Sequence, residues 1–247
     1  PTAAGKRFRQ FLSDRITRYQ DRSQPDADAA SGLSPYLHFG HISGHQLFAG
    51  VAKHEQWSVA QILPKQAGQR GWLGMSESAE GFLDQVVTWR ELGFNFTSQR
   101  DDYAEFDSLP EWARKTLGEH ELDPRPYVYS IEEFDNSQTH DELWNAAQRE
   151  LRETGVMQNY LRMLWGKKIL HWSRSPREAL AIMIELNNRY ALDGRNPNSY
   201  SGICWVLGRY DRPWGPQREI FGSIRYMTSD SALRKFRLKD YLAQWGA

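Results

Sequence analysis

Between Thr154 and Trp205 the chain reads TGVMQNYLRMLWGKKILHW, an Arg/Ser/Pro break, a second helical stretch, and then LNNRYALDGRNPNSYSGICW. In the first part Val156, Tyr160, Met163, Leu164, Trp165, Ile169 and Trp172 recur at three- and four-residue steps, which predicts one apolar side of a helix. Arg162 falls inside that run. A guanidinium there needs an acidic partner or a polar ligand, because an unpaired buried charge costs several kcal/mol. Trp165 and Trp172 lie two turns apart on nearly the same face, with roughly 10.5 Å of rise between them. Core packing accounts for that spacing unaided, so any role for the indoles has to come from other residues.

The rest of the chain is also helical in pattern. Residues 5–20 predict a helix with Phe8, Leu12, Ile16 and Tyr19 inward. A polar loop follows from Asp21 to Ser31, and Pro35 suits a first helical position. His41 to His54 continue as helix, residues 60–75 form a connector, and SAEGFLDQVVTWRELGFNF is a strong helix with Phe82, Val86, Trp89 and Gly93 on one face. Residues 100–142 hold 13 acidic side chains against 4 basic ones and predict short helices and loops. DELWNAAQRELRETG ends a helix at Gly155. SPREALAIMIELNNRYALDG starts one with a Ser175 cap and Pro176, and ALRKFRLKDYLAQW predicts a basic amphipathic helix. No convincing strand, internal repeat or low-complexity tract is found. The expectation is an all-α fold with one domain over residues 1–247.

Composition narrows the function classes. The single cysteine, Cys204, rules out an internal disulfide and fits a reducing compartment. No apolar run is long enough to span a membrane, and no secretory-signal layout is seen, so a cytoplasmic protein without a membrane partner is expected. The formal net charge is zero, but residues 1–148 carry 14 basic and 22 acidic side chains and residues 149–247 carry 17 and 9. That asymmetry is consistent with a basic face for an anionic polymer, and equally with a solvated basic surface. Ten Trp, eleven Tyr and eleven Phe suit a stacking ligand or a large helical core. GxGxxG and GxxxxGK are absent, which speaks against a Rossmann or P-loop nucleotide site.

Three local patterns bear on chemistry. Ser31 and Ser34 at a helix start offer hydroxyls, backbone N–H groups and a positive dipole end to an anion, or simply cap the helix. His38, His41 and His45 have neither cysteines nor a tight acidic partner, and no metal is expected. Gln85 and Trp89, four apart, can present an amide and an indole together at a pocket wall.

LSPYLHFGHIS, FLDQVVTWRELGFNF, GVMQNYLRMLWGKKILHW, LNNRYALDGRNPNSYSGICW, DRPW and FGSIRYM together resemble the FAD-binding domain of class II cyclobutane pyrimidine dimer photolyases. The resemblance runs in order along nearly the whole chain and is densest in residues 142–227. Family members carry an N-terminal α/β domain holding a light-harvesting antenna. Nothing in this sequence corresponds to it, so no antenna chromophore is expected.

The resemblance implies a cofactor, a substrate and a set of sites. Ser31, Leu33 and Ser34 would bind the pyrophosphate of FAD, with Tyr19 and Arg22 matching the family's upstream tyrosine and arginine. Asn187 would face the reactive nitrogen of the flavin's central ring. Arg162 and Asp193 would form an ion pair beside it that favours the anionic reduced flavin, the active form. Trp165, Trp144 and Trp172 match the tryptophan chain that carries an electron from the surface to the flavin. Trp89 and Trp205 match the cradle for a flipped dimer, with Met163 against it, and Arg195, Asp211 and Arg212 would line the DNA side. The implied protein is a monomeric, light-driven carbon–carbon lyase acting on DNA that carries pyrimidine dimers.

Gln85 departs from the family, which has a glutamate there. A protonated glutamic acid donates a hydrogen bond and can share its proton as charge develops on the thymine carbonyl; an amide donates but keeps its proton. The expectation is retained lesion binding with fewer excitations ending in repair. Two alternatives stay open: a cryptochrome-like photoreceptor without repair, and a helical nucleic-acid-binding module without cofactor.

Overall fold

The computed structural model describes residues 2–246. Among them there is no strand, only an isolated antiparallel bridge between Arg218 and Gly222, so the all-α expectation holds. The backbone divides into two compact units, Pro1–Leu92 and Gly93–Ala247, each with its own apolar core.

In the first unit, α1 (Ala3–Asp14) is capped by the Thr2 side chain and stops at Arg15. The chain then tightens into a 3₁₀ helix, Ile16–Ser23, so the single helix predicted over 5–20 is two segments. Within α1 it is Phe11 that is fully buried, while Leu12 packs partly buried against the same core. Phe11, Tyr19 and Phe82 meet as a triangle with ring centroids 4.7–5.7 Å apart. After α2 (Ser34–His38), α3 (Gly44–His54) begins with a reciprocal Ser43/Gln46 capping box, which starts the helix three residues later than His41. A connector with two 3₁₀ turns leads to α4 (Glu77–Leu83). The predicted helix then continues with a defect: Asp84–Trp89 is a π turn, in which the Arg90 N–H donates to the Gln85 carbonyl five residues back. Helix α5 (Arg90–Gln99) resumes normal pitch.

In the second unit, α6 (Glu111–Glu119) and α7 (Ile131–Asp135) lie in the acidic stretch. Helix α8 (Glu142–Thr154) starts on the Asp141 side chain and ends at Gly155, whose φ of +70° a glycine takes without steric cost. Helix α9 (Asn159–Trp172) starts only where the Gln158 side chain accepts from the Leu161 N–H. Val156, predicted on its inward face, therefore lies in the connector and is 44% exposed. Helix α9 is buried nearly all round, because α8, α10 (Pro176–Tyr190) and α11 (Pro197–Val206) all pack on it. Helix α11 approaches α9 tightly at Gly166, where an added Cβ would sit 2.7 Å from a Val206 methyl.

The predicted C-terminal helix is broken. α12 (Ser229–Lys235) and α13 (Lys239–Trp245) are separated at Phe236, which takes extended backbone angles. The break lets the Tyr241 hydroxyl donate to Glu150 (2.8 Å) and the Trp245 carbonyl accept from Arg149 (2.9 Å), both on α8.

Candidate functional site

The first unit offers two groups of candidate residues. Ser31, Leu33 and Ser34 form the turn into α2, in which the Leu33 N–H points at the Ser31 hydroxyl (3.4 Å). Arg7, which the sequence reading missed, donates from Nε to the Ser31 carbonyl (2.9 Å). Gly32 has φ +65°, and a Cβ there would lie 2.4 Å from an Arg7 guanidinium nitrogen. The turn is thus a close-fitting arch of small residues over a cation, a surrounding that suits an anionic group. Tyr19 is buried, and the Arg22 guanidinium lies 4.6 Å over its ring. Burial pushes the Tyr19 hydroxyl up to about 12, Arg22 pulls it back and the Asp84 carboxylate adds to the rise. Tyr19 therefore stays neutral.

The second group lies on the π turn. Gln85 and Trp89 are both half-buried, and the Trp89 indole N–H donates to Asp84 Oδ2 (2.8 Å). Asp84, Thr88, Gln20 and Arg22 help line a cavity of about 830 Å³, to which Trp57 and Trp72 of the connector also contribute. The connector wall was not foreseen, because residues 57–75 show no periodic pattern to read.

In the second unit the structure brings Arg162, Asn187 and Asp193 together. Arg162 Nη1 lies 3.5 Å from Asp193 Oδ1 and 3.4 Å from Asn187 Oδ1, which supplies the acidic partner that a guanidinium in an apolar run requires. Asn187 is buried, and its Nδ2 has no hydrogen-bond partner. An orphaned buried donor beside an ion pair fits an acceptor on the polar edge of a ring, such as a flavin nitrogen.

Trp165, Trp144 and Trp172 are also together, all buried to 2% exposure or less. Trp144 sits in the middle. Its indole N–H donates to the Trp165 carbonyl (3.0 Å), and its ring meets the Trp172 ring edge-on at 6.1 Å. The Trp165 N–H in turn donates to Gln148 (2.8 Å). Because Trp172 is buried, the tryptophans do not themselves reach solvent. A further aromatic layer does, and sequence spacing gave no sign of it. Tyr129 and His140 lie 5.8 and 4.9 Å from Trp172, and Tyr127, 47% exposed, stacks on His140 at 3.8 Å. The Tyr129 hydroxyl is 2.7 Å from His140 Nδ1, and burial holds His140 below its ordinary value. Lys168 rests 5.0 Å from the Trp172 ring centre and pairs with Asp141 at 3.3 Å.

Met163 and Trp205 are half-buried on α9 and α11, and Trp205 meets Tyr210 edge-on at 5.7 Å. Asp211 and Arg212 stand around a residue the sequence reading passed over. The Trp214 indole donates to Asp211 Oδ1 (2.9 Å), and Arg212 and Arg225 lie 5.1 and 5.2 Å from its ring. Arg195 is exposed at φ +60°, held by its N–H to the Asn188 side chain (2.9 Å). Among the described residues no group of three or more His, Cys, Asp or Glu side chains could hold a metal ion. Among the described residues no helix is long and apolar enough to cross a membrane.

Comparison with known proteins gives a consistent picture. No family model matches the chain. It is 40% identical over 236 residues to a deoxyribodipyrimidine photo-lyase of Methanothermobacter thermautotrophicus, covering 95% of this chain and 48% of that protein. It is 41% identical to one of Oryza sativa subsp. japonica, covering 94% and 43%, and 39% identical to one of Potorous tridactylus, covering 97% and 42%. The chain thus spans less than half the length of these curated relatives. Two solved structures share its fold over 98% of the chain and 44% of their own: a bacterial class III photolyase from Agrobacterium tumefaciens (TM-score 0.70, 17% identity) and the cryptochrome of Synechocystis sp. PCC6803 (TM-score 0.69, 18% identity). The fold is that of the helical FAD-binding domain of these proteins. The similarity to photo-lyases rests on the sequence relatives, and the structural neighbours add the shared fold.

Proposed function

We propose that this chain is the flavin- and lesion-binding part of a photolyase of the class II kind, one that splits cyclobutane pyrimidine dimers in DNA with light. The observation that carries the reading is on α9. One helix holds Arg162, paired with Asp193 beside the orphaned Asn187 amide, and two of three indoles in a buried line. Bound FAD in its reduced form supplies the electron, on absorbing blue or near-UV light, that opens the two inter-ring bonds of the dimer and is then returned.

The chain's residues do the rest. Ser31, Leu33 and Ser34 hold the pyrophosphate. Arg162 offsets negative charge on the flavin, which favours its anionic form, and the Asn187 amide donates to the ring. Trp165, Trp144 and Trp172 relay electrons inward to keep the flavin reduced. Trp89 and Trp205 are the indoles assigned to stack on an extruded dimer, and Met163 is assigned to touch it; such stacking would return part of the few kcal/mol that extrusion costs. Gln85 donates a hydrogen bond to a thymine carbonyl as charge builds there. Arg195, Asp211 and Arg212 meet the DNA backbone around it.

A second reading, a photoreceptor without repair, draws on Gln85 and on the cryptochrome among the structural neighbours. The two are separated by illuminating the reduced, flavin-loaded protein with dimer-containing oligonucleotides, single- and double-stranded, and following loss of the dimer. The wild type is expected to repair, and Gln85→Glu to raise the repaired fraction per photon absorbed and make it more pH-sensitive. Repair by neither variant defeats the enzyme reading. A purified protein that is colourless and takes up no FAD defeats both.

A further inference from the structure

The π turn at Asp84–Trp89 makes a contact that an ordinary helix cannot make. In an α-helix, residues five apart are turned about 140° from each other and do not meet. A π turn has about 4.4 residues per turn, which leaves such a pair only about 50° apart. Asp84 and Trp89 are five apart, and the indole N–H of Trp89 donates to the Asp84 carboxylate at 2.8 Å. The same turn carries Gln85. A π insertion is costlier than continued α-helix and is concentrated at functional sites, so a turn whose defect makes this pairing possible needs an account.

We infer that Asp84 is a positioning residue: its carboxylate fixes the rotation of the Trp89 indole, so that the ring is held ready to stack on a flipped pyrimidine dimer. This rests on the reading of Trp89 as a wall of the dimer pocket. The hydrogen bond itself and the placement of Asp84 favour it. A half-exposed indole has a choice of rotamers, and an anionic acceptor at 2.8 Å selects one of them before the substrate arrives, which lowers the ordering cost of binding. The Asp84 carboxylate also lies within the electrostatic reach of Tyr19 and lines the same cavity as Arg22. The device that orients the lesion-stacking indole is therefore anchored among residues assigned to the flavin.

The test is a binding titration of the flavin-loaded protein in the dark, with a dimer-containing oligonucleotide and its undamaged counterpart. Asp84→Ala is expected to weaken dimer binding about tenfold, the usual effect of losing a charge-assisted hydrogen bond, and to leave undamaged DNA nearly unchanged. Asp84→Asn keeps an acceptor at the same place and is expected to stay within about threefold of wild type. In a Trp89→Phe background, where there is no indole N–H to hold, Asp84→Ala is expected to add nothing further. Equal dimer preference in wild type and Asp84→Ala overturns the inference, as does an undiminished Asp84→Ala loss in the Trp89→Phe background. A wild type that binds dimer and undamaged DNA alike overturns the underlying assignment of Trp89 instead. Unfolding temperatures of all variants separate these outcomes from loss of fold.

Discussion

Lys167 is 1% exposed in the middle of α9, and its ammonium donates to the Val206 carbonyl at the end of α11, next to Trp205. Burial pulls its pKa from 10.5 down to about 7, against a rise from Asp211 and with a further lowering from Arg225. The unfolded chain keeps this proton to about pH 10.5 and the folded chain only to about pH 7, so between those values the unfolded state binds more protons. Stability from this residue therefore rises with pH across that window, by up to about 1.4 kcal/mol per pH unit. Below pH 7 its cost is fully present. Urea unfolding of wild type and Lys167→Met between pH 7 and 10 should show this extra rise in the wild type alone; parallel curves would show that the Lys167 proton is not linked to folding. The cations of α9 were not equally legible: Arg162 is half-buried, whereas Lys167 and Lys168 are both buried. Arg162 stood out because it interrupts an apolar run. Lys167 hid beside Lys168 in a Gly-Lys-Lys step that reads as a solvated edge, and only the packing of three helices around α9 buries it.

The elements of the core were largely readable where a helix end carries a local signal: Ser175 and Gly155 each mark a boundary the structure keeps, whereas the Ser43 cap that starts α3 went unread. What was not readable depends on contacts far along the chain. FLDQVVTW satisfies α-helical periodicity as well as it does a π turn, and the C-terminal break exists because α13 docks on α8. The aromatic layer beyond Trp172 is of the same kind. Tyr127, Tyr129 and His140 come from a loop stretch with no period and are gathered around the end of α9; the Tyr129 N–H donates to the Trp172 carbonyl (3.0 Å). A relay through Trp172 predicts a separation of two activities. Trp172→Phe should cost about 1–3 kcal/mol of stability, as a large-to-small core change, and should reduce photoreduction of bound flavin by an external thiol to background. Repair by protein that has been reduced chemically beforehand should be retained. Transient absorption during photoreduction checks the first point, and an unchanged rate in Trp172→Phe would mean that electrons enter by another route.

On the scale of the whole molecule, the charge asymmetry seen in the sequence belongs to the second unit. Residues 1–92 carry 10 basic and 9 acidic side chains, whereas residues 93–148 carry 4 and 13 and residues 149–247 carry 17 and 9. Part of the C-terminal excess is neutralised inside that unit: Arg177 pairs with Asp107, Arg189 with Asp135 and Lys168 with Asp141. Around residues 209–226 the cations lie over rings instead. Arg209 covers Phe96, Arg212 and Arg225 flank Trp214, and Arg218 covers Tyr226. A guanidinium stacked on a ring keeps its charge, and on the proposed reading Arg212, Arg218 and Arg225 are the cations of this loop that would meet phosphates, whereas Arg209 donates inward to the Ser108 carbonyl. Binding to dimer-containing DNA should therefore weaken steeply with salt. Arg212→Gln should lower the slope of log K against log salt by about 0.9 on duplex and about 0.7 on single strands, one phosphate's share in each. The same substitution should leave the preference for dimer over undamaged DNA unchanged, because phosphate contacts carry no lesion information. A slope equal to the wild type on both forms of DNA would remove Arg212 from the interface, whereas a reduced slope on duplex alone would place its phosphate on the strand opposite the lesion.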